Sequence, residues 1–158
     1  MNRHPQRGFS LIELMVTVAI IAVMLAIGVP SFGTSVRAAR ERTVVQRMTQ
    51  DFMWVRGTAG AATTTAAQVK IFADCHWTTT INGAADDKHS MTALQVSAQA
   101  PGVSCSGIGM ALPATFDFNP QGFVSTTGTL QFIGTANPAA LKFEILYSGA
   151  MFRANGTS

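Results

Sequence analysis

Residues Leu11 to Val29 form a run of 19 residues that is broken only by Glu13 and Thr17. A helix rises about 1.5 Å per residue, so the run nearly matches the ~30 Å hydrocarbon core of a bilayer. It predicts a transmembrane helix over about 11–29. Arg3 and Arg7 precede it, which places a short N-terminus in the cytoplasm and the bulk of the chain on the far side. A secretory signal peptide would have a shorter apolar core followed by a small-residue cleavage site. Here Gly28 and Pro30 close the run and an arginine-rich amphipathic pattern follows, so the anchor is expected to be retained. Glu13 is the anomaly. A carboxylate inside a membrane segment costs a few kcal/mol and usually has a partner and a function. No Lys or Arg stands one turn away, so the partner is expected on another copy or another subunit. A free α-amino group created by cleavage nearby would serve.

Beyond Pro30 the pattern stays helical. Val45, Met48, Phe52 and Val55 recur at helical spacing and make one apolar stripe. Gly28 and Pro30 mark a helix break or kink, because proline removes a backbone donor and crowds the preceding turn. Glycines at 57 and 60 are expected to end the helix. One helix over 9–56 would span ~70 Å, membrane anchor first and head-packing element second. Arg37, Arg40, Arg42, Arg47 and Arg56 face only Glu41 and Asp51 in this stretch. They read either as a solvated face near acidic lipid or as partners for acidic groups of neighbouring subunits.

From Gly57 to Ser158 four cations stand against five carboxylates, a poor start for a non-specific polyanion binder. Only 12% of the whole chain is charged, about half the usual share. Alternation and β-forming residues predict strands over Val69–Phe72, His76–Ile81, Met91–Ser97, Thr115–Phe118, Phe123–Val124, Thr129–Ile133 and Leu141–Tyr147. Met151–Arg153 could add a last short one. Asn82-Gly83 and Asn119-Pro120-Gln121-Gly122 read as turns, and 84–89 as a polar loop. Phe116, Phe118, Phe123, Phe132, Phe143 and Tyr147 are expected to face a core. The fold class is therefore α+β: a long N-terminal helix, transmembrane in its first half, packed on a β-rich head of antiparallel strands over 57–158. Cys75 and Cys105, in an exported chain, suggest one disulfide closing a loop of about 30 residues, contributing on the order of 3 kcal/mol. Two free buried thiols are the alternative.

The segment Arg7-Gly8-Phe9-Ser10-Leu11-Ile12-Glu13-Leu14, with the apolar run behind it, resembles the class III signal of type IV pilins and type II secretion pseudopilins. The resemblance implies a leader over 1–8 and cleavage by prepilin peptidase between Gly8 and Phe9, with N-methylation of the new terminal Phe9. It implies that Glu13 neutralises the N-terminal amine of a neighbouring subunit during assembly. Pro30 is similar to the proline that bounds a stretchable helix segment in pilins. The head is similar to the FimT/GspH family of minor pilins and pseudopilins, on FDFNPQGFV and the terminal SGAMFR. The implied partners are other pilin or pseudopilin subunits, prepilin peptidase and the inner membrane. The implied location is the inner membrane, then a pilus or pseudopilus in the periplasm or outside the cell, and the implied role is structural.

No catalytic constellation is visible, so a membrane-anchored periplasmic enzyme is the remote alternative. No cofactor is indicated. Asp86-Asp87-Lys88-His89 matches no metal-ligand spacing, and no metal site is expected. DNA uptake is the nearer alternative. Some FimT proteins bind DNA through a terminal Gly-Arg-x-Arg. Here the matching place reads Gly149-Ala150-Met151-Phe152-Arg153, with the first Arg absent and the second displaced by one residue. That displacement turns a strand side chain to the opposite face. Arg153 with Lys142 could still form a small patch, and Trp77 could stack a base.

Overall fold

The computed structural model describes residues 9–61, 66–136 and 141–154, and leaves the side chains at 27–31 undescribed. Gly8 therefore lies outside the described residues, as do the side chains at Gly28 and Pro30. The architecture is α+β. The chain divides into two compact units, 1–36 and 37–158. Helix α1 (Leu11–Ala61) supplies nearly all of the first and the opening element of the second. The helix is continuous through Gly28 and Pro30.

α1 also runs through Gly57 and Gly60, beyond the expected end near Arg56. The physical reason is packing. Ala59 is fully buried, so the last turns belong to the core and offset the glycines' poor propensity. The expected stripe of Val45, Met48, Phe52 and Val55 is buried, and Val44 joins it.

The second unit carries two antiparallel sheets of four strands each. In the first, β1 (Ala67–Ile71) lies between β2 (Trp77–Ile81) and β5 (Ala114–Phe118), and the short β3 (Ala84–Ala85) flanks β2. In the second, the order is β4 (Ser104–Ile108), β6 (Gly128–Ile133), β7 (Leu141–Ile145) and β8 (Met151–Ala154). Period-two burial is plain: Val69 and Ile71 on β1, Phe116 and Phe118 on β5, and Leu130 and Phe132 on β6 all turn inward. Phe52 of α1 meets Phe116 and Phe118 edge-on, with ring centroids 5.3 and 5.1 Å away. Edge-to-face contact matches the positive rim of one ring to the negative face of the other.

Several expectations are corrected. Met91–Ser97 is not a strand: Ala93–Gln99 forms helix α2. Thr92 Oγ1 accepts from the Gln95 amide at 3.3 Å and Gln95 Oε1 accepts from the Thr92 amide at 3.0 Å. This reciprocal capping box nucleates a helix where alternation suggested a strand. Leu94, which alternation would bury, is 79% exposed. The 84–89 segment is not all loop. Asn82 and Gly83 both take positive φ, which closes a hairpin onto β3, and a 3-10 turn follows at Asp87–His89. Strand β4 had no expectation; its Ser and Gly content carries little β signal. Phe123 and Tyr147 are not core residues. They stack on each other at the surface, 5.2 Å apart.

Candidate functional site

The N-terminal segment is built like a surface meant to be covered. Ser10 precedes the first helical residue, and its Oγ accepts from the Glu13 amide at 3.3 Å. Ser10 thus caps the helix, and Glu13 sits in the first turn, where the exposed amides favour a negative charge. From Leu11 to Leu25 the large apolar side chains are all exposed, on every face of the helix. A helix apolar all round is stable only inside other helices or lipid. Glu13 is the one carboxylate of this apolar stretch and makes no ion pair among the described residues. Thr17, the other polar residue, donates its hydroxyl to the Leu14 carbonyl at 2.8 Å, inside its own helix. Among the described residues, no helix is long and apolar enough to cross a membrane.

The head holds the remaining candidates, and the structure separates them. Trp77 is wholly buried. Its indole N–H donates to Asp51 Oδ2 at 3.1 Å and to the His89 carbonyl at 3.2 Å. It cannot stack a base, because both ring faces are inside the core. The inward phase of β2 puts it there. Asp51, a counter-charge to the arginines by sequence, is the buried acceptor. Burial pushes its carboxyl upward, against the Trp77 hydrogen bond and the charge of Arg47. Arg47 lies 3.8 Å away, so this arginine of the basic cluster pairs within its own helix.

Lys142 and Arg153 do not share a face. Arg153 stands opposite the inward Phe143 in the β7–β8 register, whereas Lys142 stands opposite Ala154. Directly opposed residues point to the same side. Arg153 therefore faces α1 and Lys142 faces away, so the two do not form the small patch that the DNA alternative would use.

Cys75 and Cys105 are joined, with sulfurs 2.08 Å apart, and both are buried. The bond ties the β1–β2 turn of one sheet to β4 of the other. The two head motifs, FNPQG and SGAMFR, also meet. Gly122 and Gly149 both have positive φ, and a Cβ on Gly149 would lie 2.2 Å from the Gly122 carbonyl oxygen. The same Cβ would stand 3.2 Å from the Arg56 stem. These glycines are spacing residues for a close approach of two turns under α1. His89, expected in a polar loop, is not solvated on all sides. Its ring stacks on Trp54 with centroids 3.4 Å apart, and its Nδ1 lies 2.8 Å from Asp86 Oδ2. Among the described residues, no three His, Cys, Asp or Glu side chains converge as a metal site would require.

Residues 3–29 match the family described as the prokaryotic N-terminal methylation motif. Over 41 residues the chain is 49% identical to prepilin peptidase-dependent protein D of Escherichia coli (strain K12). That match covers 26% of this chain and 28% of the relative. No solved structure matches the chain. The N-terminal segment thus carries the methylation motif, and part of the chain is similar to a prepilin peptidase-dependent protein.

Proposed function

We propose that this chain is a FimT/GspH-like minor pilin or pseudopilin with a structural role. In this reading prepilin peptidase cuts between Gly8 and Phe9, and Phe9 is then N-methylated. The apolar run over 11–29 holds the precursor in the inner membrane with its N-terminus cytoplasmic. The same helix later packs among the helices of other subunits in a type IV pilus or a secretion pseudopilus. Glu13 neutralises the terminal amine of a neighbour there.

The observation that carries this reading is the segment from Phe9 to Leu25. It is apolar on every face, capped by Ser10, and holds one carboxylate in its first turn with no cation to meet it among the described residues. A charge so placed is expensive in lipid unless a partner arrives from outside the chain. The FimT/GspH assignment rests on the FNPQG and SGAMFR turns, whose glycines pack against each other.

The test is processing in cells that carry the peptidase. Mass spectrometry of the mature chain should find an N-terminus at Phe9 bearing one added methyl group. Gly8→Val should leave an uncut precursor in the membrane fraction. Glu13→Ala should be cut and inserted as usual but recovered in sheared filaments at a small fraction of the wild-type level. Normal cleavage of Gly8→Val would remove the prepilin reading. Undiminished recovery of Glu13→Ala would remove the role given to that carboxylate.

A further inference from the structure

We propose that the open edge of β8, with the groove beside it, takes an extended peptide segment carrying a carboxylate between apolar side chains. The inference stands on the head and does not depend on how the N-terminus is processed.

Three observations converge. First, among the described residues β8 is the last strand of its sheet. The Leu146 amide donates to the Ala150 carbonyl at 3.0 Å, which sets the phase of the ladder. In an antiparallel pair hydrogen-bonded positions alternate. Phe152 is then bonded to Glu144, and Met151 and Arg153 turn their N–H and C=O groups away from β7. These groups can pair with a further strand.

Second, a groove of about 680 Å³ lies between α1 and the inner faces of β6, β7 and β8. Val45, Phe132 and Phe143 form its apolar floor. A strand added to β8 would direct alternate side chains into this recess.

Third, the groove carries two exposed guanidinium groups, Arg42 and Arg153. Neither makes an ion pair among the described residues. Among the described residues, the one carboxylate lining the groove, Glu41, is buried and occupied. Its Oε1 accepts from the Thr135 amide at 2.8 Å, the Thr135 hydroxyl at 2.9 Å and the Ala136 amide at 2.9 Å. The charge left facing the recess is positive, and guanidinium forks favour carboxylates.

A nucleic acid fits less well. Phosphate binding needs several cations on one surface, and Lys142 points away from this one. The floor is apolar, and it is the strand edge that supplies the directional bonds.

The full chain in detergent micelles can be titrated by fluorescence anisotropy against a fluorescein-labelled peptide. The probe alternates valine and threonine and carries one central glutamate. Saturable binding is expected. Replacing the glutamate by glutamine should weaken it about tenfold, as loss of a charged hydrogen bond does. Arg153→Glu and Arg42→Glu should each weaken binding of the glutamate probe at least tenfold, and Lys88→Glu should leave it unchanged. A probe N-methylated at alternate amides should not bind, since methylation removes the ladder donors. The proposal is overturned if the glutamate probe fails to saturate, or if both arginine variants bind it as wild type does. It is equally overturned if a single-stranded oligothymidine binds with Arg153 dependence while the peptide does not.

Discussion

Asp51 and Asp86 show at the residue scale how position sets the behaviour of one functional group. Asp51 is buried on α1, and loss of water raises its pKa from the ordinary value of 3.8. Asp86 precedes the 3-10 turn, and its pKa is lowered from 3.8, chiefly by its hydrogen bond with His89. The signs for stability are opposite. Asp51 favours the fold most below 3.8, and that contribution is lost as pH rises through its raised folded value. Asp86 favours the fold above 3.8, and that contribution is lost as pH falls through its lowered folded value. Asp86→Asn should therefore cost about 1 kcal/mol at pH 7 and progressively less as pH falls below 3.8. Asp51→Asn should cost more at pH 3 than at pH 7. Urea unfolding of both variants across this range reads the two trends, and parallel curves for both would contradict them.

At the element scale α1 does two different things with one secondary structure. Its first turns are capped by Ser10 and apolar on every side, and its later turns bury a single stripe. The stripe was legible from spacing alone, because helical period and burial coincide. The C-terminal end was not. Gly57 and Gly60 read as breakers, yet the helix continues because Ala59 is held in the core. A Cβ added at Gly57 meets no atom within 4 Å. Gly57→Ala should therefore stabilise the protein by about 0.5–1 kcal/mol through reduced freedom of the unfolded chain. A raised denaturation midpoint with an unchanged slope would show it; a lowered midpoint would mean that the glycine is needed. α2 teaches the converse. Alternation in TALQVS pointed to a strand, while Thr92 and Gln95 already spelled the cap that starts a helix.

For the whole molecule, the two sheets are held as one core by burial and by the single bond between Cys75 and Cys105. The cysteines are 30 residues apart, and a loop of that length implies on the order of 3 kcal/mol. Reduction, or Cys75→Ser with Cys105→Ser, should lower the unfolding temperature of the head by many degrees. Unchanged melting under reductant would show that burial alone suffices.

Much of this protein was determined by its sequence. The apolar run, the buried stripe and most strand positions follow from local chemistry and periodicity, which act over a few neighbours. Tertiary structure decided which partners the polar and charged side chains meet. Trp77 became a core donor to Asp51, 26 residues away. Arg153 turned toward α1 and Lys142 away, and Glu41 was occupied by Thr135 and Ala136. Register and burial depend on contacts between distant segments, and a one-residue change of phase reverses every side chain on a strand. No local pattern contains that information.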